Sequence, residues 1–138
     1  MAKEAVLVDT WAIIALTNNR DAMHQRVTEV SQQLTEEGRP LVTTDWILTE
    51  FLGFATRPPN REVAVNIVER LRQSAWIEVV PATREQWEEG FQLYRDRLDK
   101  SWSLVDCISI WLCQRLVITD VFTGDHHFEQ AGLKILVP

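Results

Sequence analysis

The chain has 138 residues, 46% hydrophobic and 25% charged, with five glycines and five prolines. That profile is of one globular domain spanning residues 1–138, and it excludes a fibre, a linker or a disordered tail. The formal net charge of −6 argues against a broad basic face for nucleic acid, unless carboxylates gather round divalent cations and Arg57, Arg61, Arg95, Arg97, Lys100 and Arg115 form a local basic rim.

In chain order, "AVLV" (5–8) is a short apolar strand ended by Asp9, and "TWAIIALT" behind it is helical. The apolar start could be mistaken for a signal peptide, but Asp9 interrupts it and no small-residue cleavage site follows. Residues 21–37 carry Met23, Val27, Val30 and Leu34 at helical spacing until Gly38 stops them. "PLVTT" (40–44) is a second strand, and "DWILTEFLGFAT" a helix with Asp45 as its N-cap.

After the loop "RPPN", residues 61–74 are helical and "WIEVV" (76–80) is a third strand. Thr83 and Gln86 form a capping box that opens "REQWEEGFQLYRDRL". A largely apolar helix, "SLVDCISIWLCQRL", leads to the strand "DVFT", the helical turn "DHHFEQA" closed by Gly132, and a last strand "KILV". Cys107 and Cys113 fall on different sides of one helix and cannot bridge, so a reducing cytoplasm is expected. No segment approaches the roughly 18 uncharged apolar residues of a membrane span.

Short strands alternating with helices, without hairpin signals, predict an α/β fold in which helices cover both faces of a parallel sheet. Function in such sheets collects at the carboxyl ends of the strands. Asp9 and Asp125 each follow a strand there, with helix capping as the structural alternative. Glu50 is more informative: at about 100° per residue it falls about 40° from Trp46, inside the apolar arc of Trp46, Ile47, Leu48, Phe51, Leu52 and Phe54. Asp106 repeats the anomaly in a helix apolar nearly all round, its alternative being a capping box with Ser103. Buried lone carboxylates need a partner, a raised pKa or a metal. One shared cleft explains all four, and oxygen ligands suit Mg²⁺ or Mn²⁺ better than zinc. Such ions activate water against phosphodiesters. Asp45, Asp96, Asp99 and Asp120 are explained by solvation at helix ends and loops.

At these positions the chain resembles the PIN-domain family, and within it the VapC-type toxins of toxin–antitoxin pairs. The resemblance is carried by "VLVDTWAIIAL", "TEFL", "DKSWSLVDCISI" and "VFTGDHHFEQAGLKIL", with residues 57–95 matching only in helical character. It implies a three-layer α/β/α sandwich with a central parallel sheet of four to five short strands. The family's acidic quartet falls on Asp9, Glu50, Asp106 and Asp125, as catalytic residues and metal ligands, and Thr10 and Thr123 match positions with a small hydroxyl near the metal. The resemblance further implies Mg²⁺- or Mn²⁺-dependent cleavage of RNA, a homodimer, and a small cognate antitoxin that covers the cleft. Where many relatives have a basic residue after the last aspartate, this chain has His126.

Rival readings are weaker. The triplet "DHH" names another phosphoesterase family, but its further ligands are missing, since the only other histidine is His24. A receiver-like signalling domain needs a phospho-accepting aspartate after the third strand, where "PAT" stands. A non-catalytic PIN-like module binding RNA or protein stays open as the alternative, although all four acids are present. His126 and His127 read as an exposed turn. Trp46, Trp76, Trp87 and Trp111 are expected in the core or a dimer interface, and Trp11 and Trp102 as packing residues beside the site, with RNA-base stacking as the alternative.

Overall fold

A computed structural model describes residues 3–138. Strands β1 (Val6–Val8), β2 (Leu41–Thr44), β3 (Ile77–Val80), β4 (Asp120–Phe122) and β5 (Lys134–Ile135) form a five-stranded sheet in the order β3-β2-β1-β4-β5. Every pairing is parallel, with Val6 set between Leu41 on one side and Asp120 on the other. Parallel neighbours cannot be joined by hairpins, so the connections run through α1 (Thr10–Thr17), α2 (His24–Glu36), α3 (Asp45–Phe54), α4 (Asn60–Gln73), α5 (Arg84–Asp96), α6 (Leu104–Leu116) and α7 (His127–Gln130). Helix α1 packs on α2 and α3, and α3 on α4, while α5 packs on α6; with the right-handed crossovers usual for parallel strands, these two groups cover opposite faces of the expected three-layer α/β/α sandwich. No helix among the described residues is long and apolar enough to cross a membrane.

β1 is apolar and buried along its whole length, as the middle strand of a sheet covered on both faces should be. The chain winds outward from β1 through β2 to β3, then returns to the other side of β1 for β4 and β5. The strand order therefore reverses between β1 and β4, and the crevice beyond their carboxyl ends is where such sheets place their ligands.

Several element ends differ from expectation because side chains capture backbone groups. Helix α2 begins at His24 rather than 21, since the Asp21 carboxylate accepts from the Met23 N–H (2.8 Å) and holds that stretch as a turn. The N-cap of α3 is Thr44, whose hydroxyl accepts from the Ile47 N–H at 3.0 Å; Asp45 lies inside the first turn and accepts from the Ala82 N–H at 2.9 Å. The capping box of Thr83 and Gln86 forms as expected. Regular strand β5 is only two residues, yet Leu136 and Val137 still donate to the carbonyls of Val121 and Thr123.

The apolar arc of α3 is narrower than its sequence suggests: Ile47, Leu48 and Phe51 are buried, whereas Phe54 is 72% exposed. Trp76 stands outside the core at 75% exposed, and β3 starts one residue later, at Ile77. Trp46, Trp87 and Trp111 are half-buried, Trp46 donating its indole N–H to Gln86 at 2.8 Å.

Candidate active site

Asp9 leaves β1 at the carboxyl edge of the sheet and takes the N-cap position of α1, with extended backbone, but its side chain makes no capping hydrogen bond. Only 4% exposed, it turns instead toward β4, where Oδ2 accepts from the Thr123 hydroxyl at 3.0 Å. The same Thr123 oxygen accepts from the Asp125 N–H at 3.0 Å, so one fully buried threonine ties the end of β1 to the loop after β4. Trp11 closes over that loop: a side chain at Gly124 would meet its indole at 2.4 Å, so the "TGD" turn requires glycine.

Glu50 is half-buried on α3, on the side its helical angle indicated, and near enough to Asp106 and Asp125 for their charges to act on it. Burial raises its pKa; the Thr10 hydroxyl opposes the rise, and the charges of Asp106 and Asp125 add to it. Thr10 itself is buried, its hydroxyl 3.4 Å from the Ile47 carbonyl.

Asp106 forms the capping box at the start of α6, its Oδ2 accepting from the Ser103 N–H at 3.0 Å while Ser103 caps its own N–H. The structural alternative is thus realised, yet it does not remove Asp106 from the crevice. Burial raises its pKa, the Ser103 bond opposes the rise, Asp125 adds to it and His127 opposes it. Asp125 opens the turn before α7 by accepting from the His127 N–H at 2.9 Å.

Burial pushes the Asp9 carboxyl up to about 7, against the Thr123 hydrogen bond, with the charges of Asp106 and Glu50 contributing. Each of the four carboxylates is therefore coupled by charge to at least two of the others. A divalent cation relieves this arrangement, and the donor set fits Mg²⁺ or Mn²⁺.

His127 departs from its expected place on an exposed turn. Its side chain is 32% exposed, and Nδ1 lies 3.2 Å from Asp106 Oδ2 and 3.4 Å from Asp125 Oδ1. Ligand atoms of Asp106, Asp125 and His127 all fall within 4.8 Å of one another. The signal available in the sequence was the D-x-H spacing, because an aspartate that accepts from the N–H two residues on brings that residue back toward its own carboxylate. His126 does point outward and pairs with Glu129.

Several of the candidate rim cations are engaged by neighbours. Arg97 makes a two-pronged contact with Asp99 at 3.0 Å, Lys100 lies 3.7 Å from the same carboxylate, and both cations lie over the Trp102 ring. Trp102 is buried, donating to Gln130 at 3.0 Å, and precedes the Ser103 that caps Asp106. Arg115 stands at the far end of α6, paired with Glu85, and Arg61 donates to the Thr56 carbonyl. Cys107 and Cys113 are free and buried, and burial pushes their thiols up to about 11 and about 12, so neither is a nucleophile at neutral pH.

The PIN-domain family model matches residues 6–134. Comparison with curated proteins finds no match by sequence. Among solved structures, VapC20 of Mycobacterium tuberculosis, described as a toxin cleaving the sarcin–ricin loop, superposes with a TM-score of 0.80 at 23% identity, over 93% of this chain and 95% of that one. VapBC2 of Rickettsia felis, bound to a DNA fragment from their promoter, gives 0.70 at 9% identity over 95% and 96%. FitAcB of Neisseria gonorrhoeae gives 0.67 at 18% identity over 94% and 95%.

Proposed function

Since the chain belongs to the PIN-domain family, we propose that it is a Mg²⁺- or Mn²⁺-dependent endoribonuclease and the toxin of a type II toxin–antitoxin pair. The observation that carries this reading is the meeting of Asp9, Glu50, Asp106 and Asp125 at the switch point, where burial and mutual repulsion raise the pKa values of the first three. These four side chains hold the cation. Bound there, the ion supplies a more acidic water and positive charge opposite the phosphate.

The chain's own groups fix the ligands before any substrate arrives. Thr123 orients Asp9, the Ser103 N–H orients Asp106, and the Thr10 hydroxyl lies beside Glu50, where it favours the charged carboxylate. Arg97 and Lys100, held over Trp102 beside the start of α6, meet the RNA backbone. The fold shared with VapC20 makes a ribosomal RNA loop the first substrate to try. The likeness to VapBC2 supports a small cognate antitoxin as partner; a homodimer is the expected assembly.

The test is RNA cleavage with and without Mg²⁺ or Mn²⁺ by the wild type, Asp9→Asn and Asp106→Asn. Cleavage that needs the ion and drops at least about a hundredfold in both variants is expected. Equal activity in all three sinks the mechanism and leaves a binding module.

A further inference from the structure

Carboxylates alone would give the cation an all-oxygen site. Resting on the metal-site reading above, we propose that Nδ1 of His127 joins Asp106 and Asp125 as a ligand, making a mixed nitrogen–oxygen site that favours Mn²⁺ over Mg²⁺.

Ligand atoms of His127, Asp106 and Asp125 lie within 4.8 Å of one another. Nδ1 stands 3.2 Å from Asp106 Oδ2 and 3.4 Å from Asp125 Oδ1. Adjacent ligands of an octahedral ion bound at about 2.1 Å are about 3.0 Å apart, so these atoms need little movement to share one. Nδ1 carries at most one hydrogen, which cannot serve two carboxylate oxygens at once. Asp106 Oδ2 accepts from the Ser103 N–H and Asp125 Oδ1 from the His127 N–H, and each oxygen keeps a second lone pair for an ion. A cation at their common focus serves all three donors together.

The imidazole is also held in place rather than swinging freely. The His127 N–H bond to Asp125 sets the turn, and Phe128, next in the chain, is fully buried and anchors it. His126 faces the other way, toward Glu129. Mg²⁺ binds oxygen ligands and keeps its waters, whereas transition-metal ions gain more from an imidazole. A nitrogen at this position therefore widens the difference between Mn²⁺, which accepts an imidazole, and Mg²⁺, which holds to oxygen.

Pulsed electron paramagnetic resonance of the Mn²⁺-loaded protein reads the ligand directly. The expected result is a nitrogen coupling from a bound imidazole that changes on ¹⁵N-histidine labelling, persists in His126→Gln and vanishes in His127→Gln. Calorimetry should show His127→Gln weakening Mn²⁺ binding about tenfold and Mg²⁺ binding about threefold or less. Mn²⁺ bound without nitrogen coupling overturns the role of His127 and leaves the acidic site standing. Failure of the wild type to bind Mn²⁺ overturns both. If His127→Gln does not fold, the labelled wild type beside His126→Gln still decides.

Discussion

Burial pushes the Asp9 carboxyl up to about 7 from an ordinary 3.8, so in the metal-free protein its charged form opposes folding. Below about pH 4 the folded and unfolded chains both keep the proton, and no penalty arises. Between about 4 and 7 the unfolded chain releases it while the folded chain holds it, so stability falls as pH rises and levels off above about 7. Glu50 and Asp106, also raised, act in the same direction. Without divalent cations, Asp9→Asn should therefore melt higher than the wild type at pH 8 and close to it at pH 4. Thermal melts in a chelator at the two pH values check this, and a variant no more stable at pH 8 would show that Asp9 is not held under strain. Glu50 was legible from its helical angle alone. The freedom of Asp9 from its cap was not, because it depends on Thr123, which approaches from β4.

Helices α5 and α6 cross so closely that a Cβ at Gly90 would lie 2.3 Å from the Ile108 side chain and 3.2 Å from its backbone. Gly90→Ala should destabilise the fold by about 1–3 kcal/mol, read as a lower denaturation midpoint with unchanged slope. An unchanged midpoint would mean that the helices separate without cost. Nothing in "EEGF" announces this contact, since a mid-helix glycine can be tolerated without packing against anything. At the other end of α6, Val117 is left-handed (φ 56°), a conformation that a β-branched residue adopts at a cost of about 1–2 kcal/mol. It is 83% exposed and buries little in return. Val117→Gly should thus raise stability by about 1 kcal/mol in a chemical denaturation curve, and a loss would show that its side chain contributes more than its backbone costs. Elements were legible where periodicity was strong, as in α2 and α5. The Thr83–Gln86 capping box made the start of α5 legible too, whereas Asp21, Thr44 and Ser74 settle ends of α2, α3 and α4 through side-chain bonds to backbone groups that periodicity does not show.

Alternation of strands and helices made a parallel sheet legible, but it did not say which strand lies in the middle. That follows from the return of the chain across β1 to build β4, a long-range pairing with no local signature. The same return decides the site: Asp9 comes from the end of β1, Glu50 from α3, Asp106 from the start of α6 and Asp125 from the loop after β4. On the proposed reading, an ion held by all four would link segments that the unfolded chain leaves far apart, so it would bind the native state alone and stabilise the whole fold. At a concentration a hundred times its dissociation constant, that linkage is worth about 2.7 kcal/mol. For a chain of this length it raises the melting temperature by about 8 °C. The rise should appear for Mn²⁺ or Mg²⁺, and it should disappear in Asp106→Asn, where one ligand is neutral. Differential scanning calorimetry with the ion titrated measures it. A rise that survives in Asp106→Asn would place the ion elsewhere, whereas its loss there, with the transition still cooperative, ties the cation to the point where the sheet changes direction.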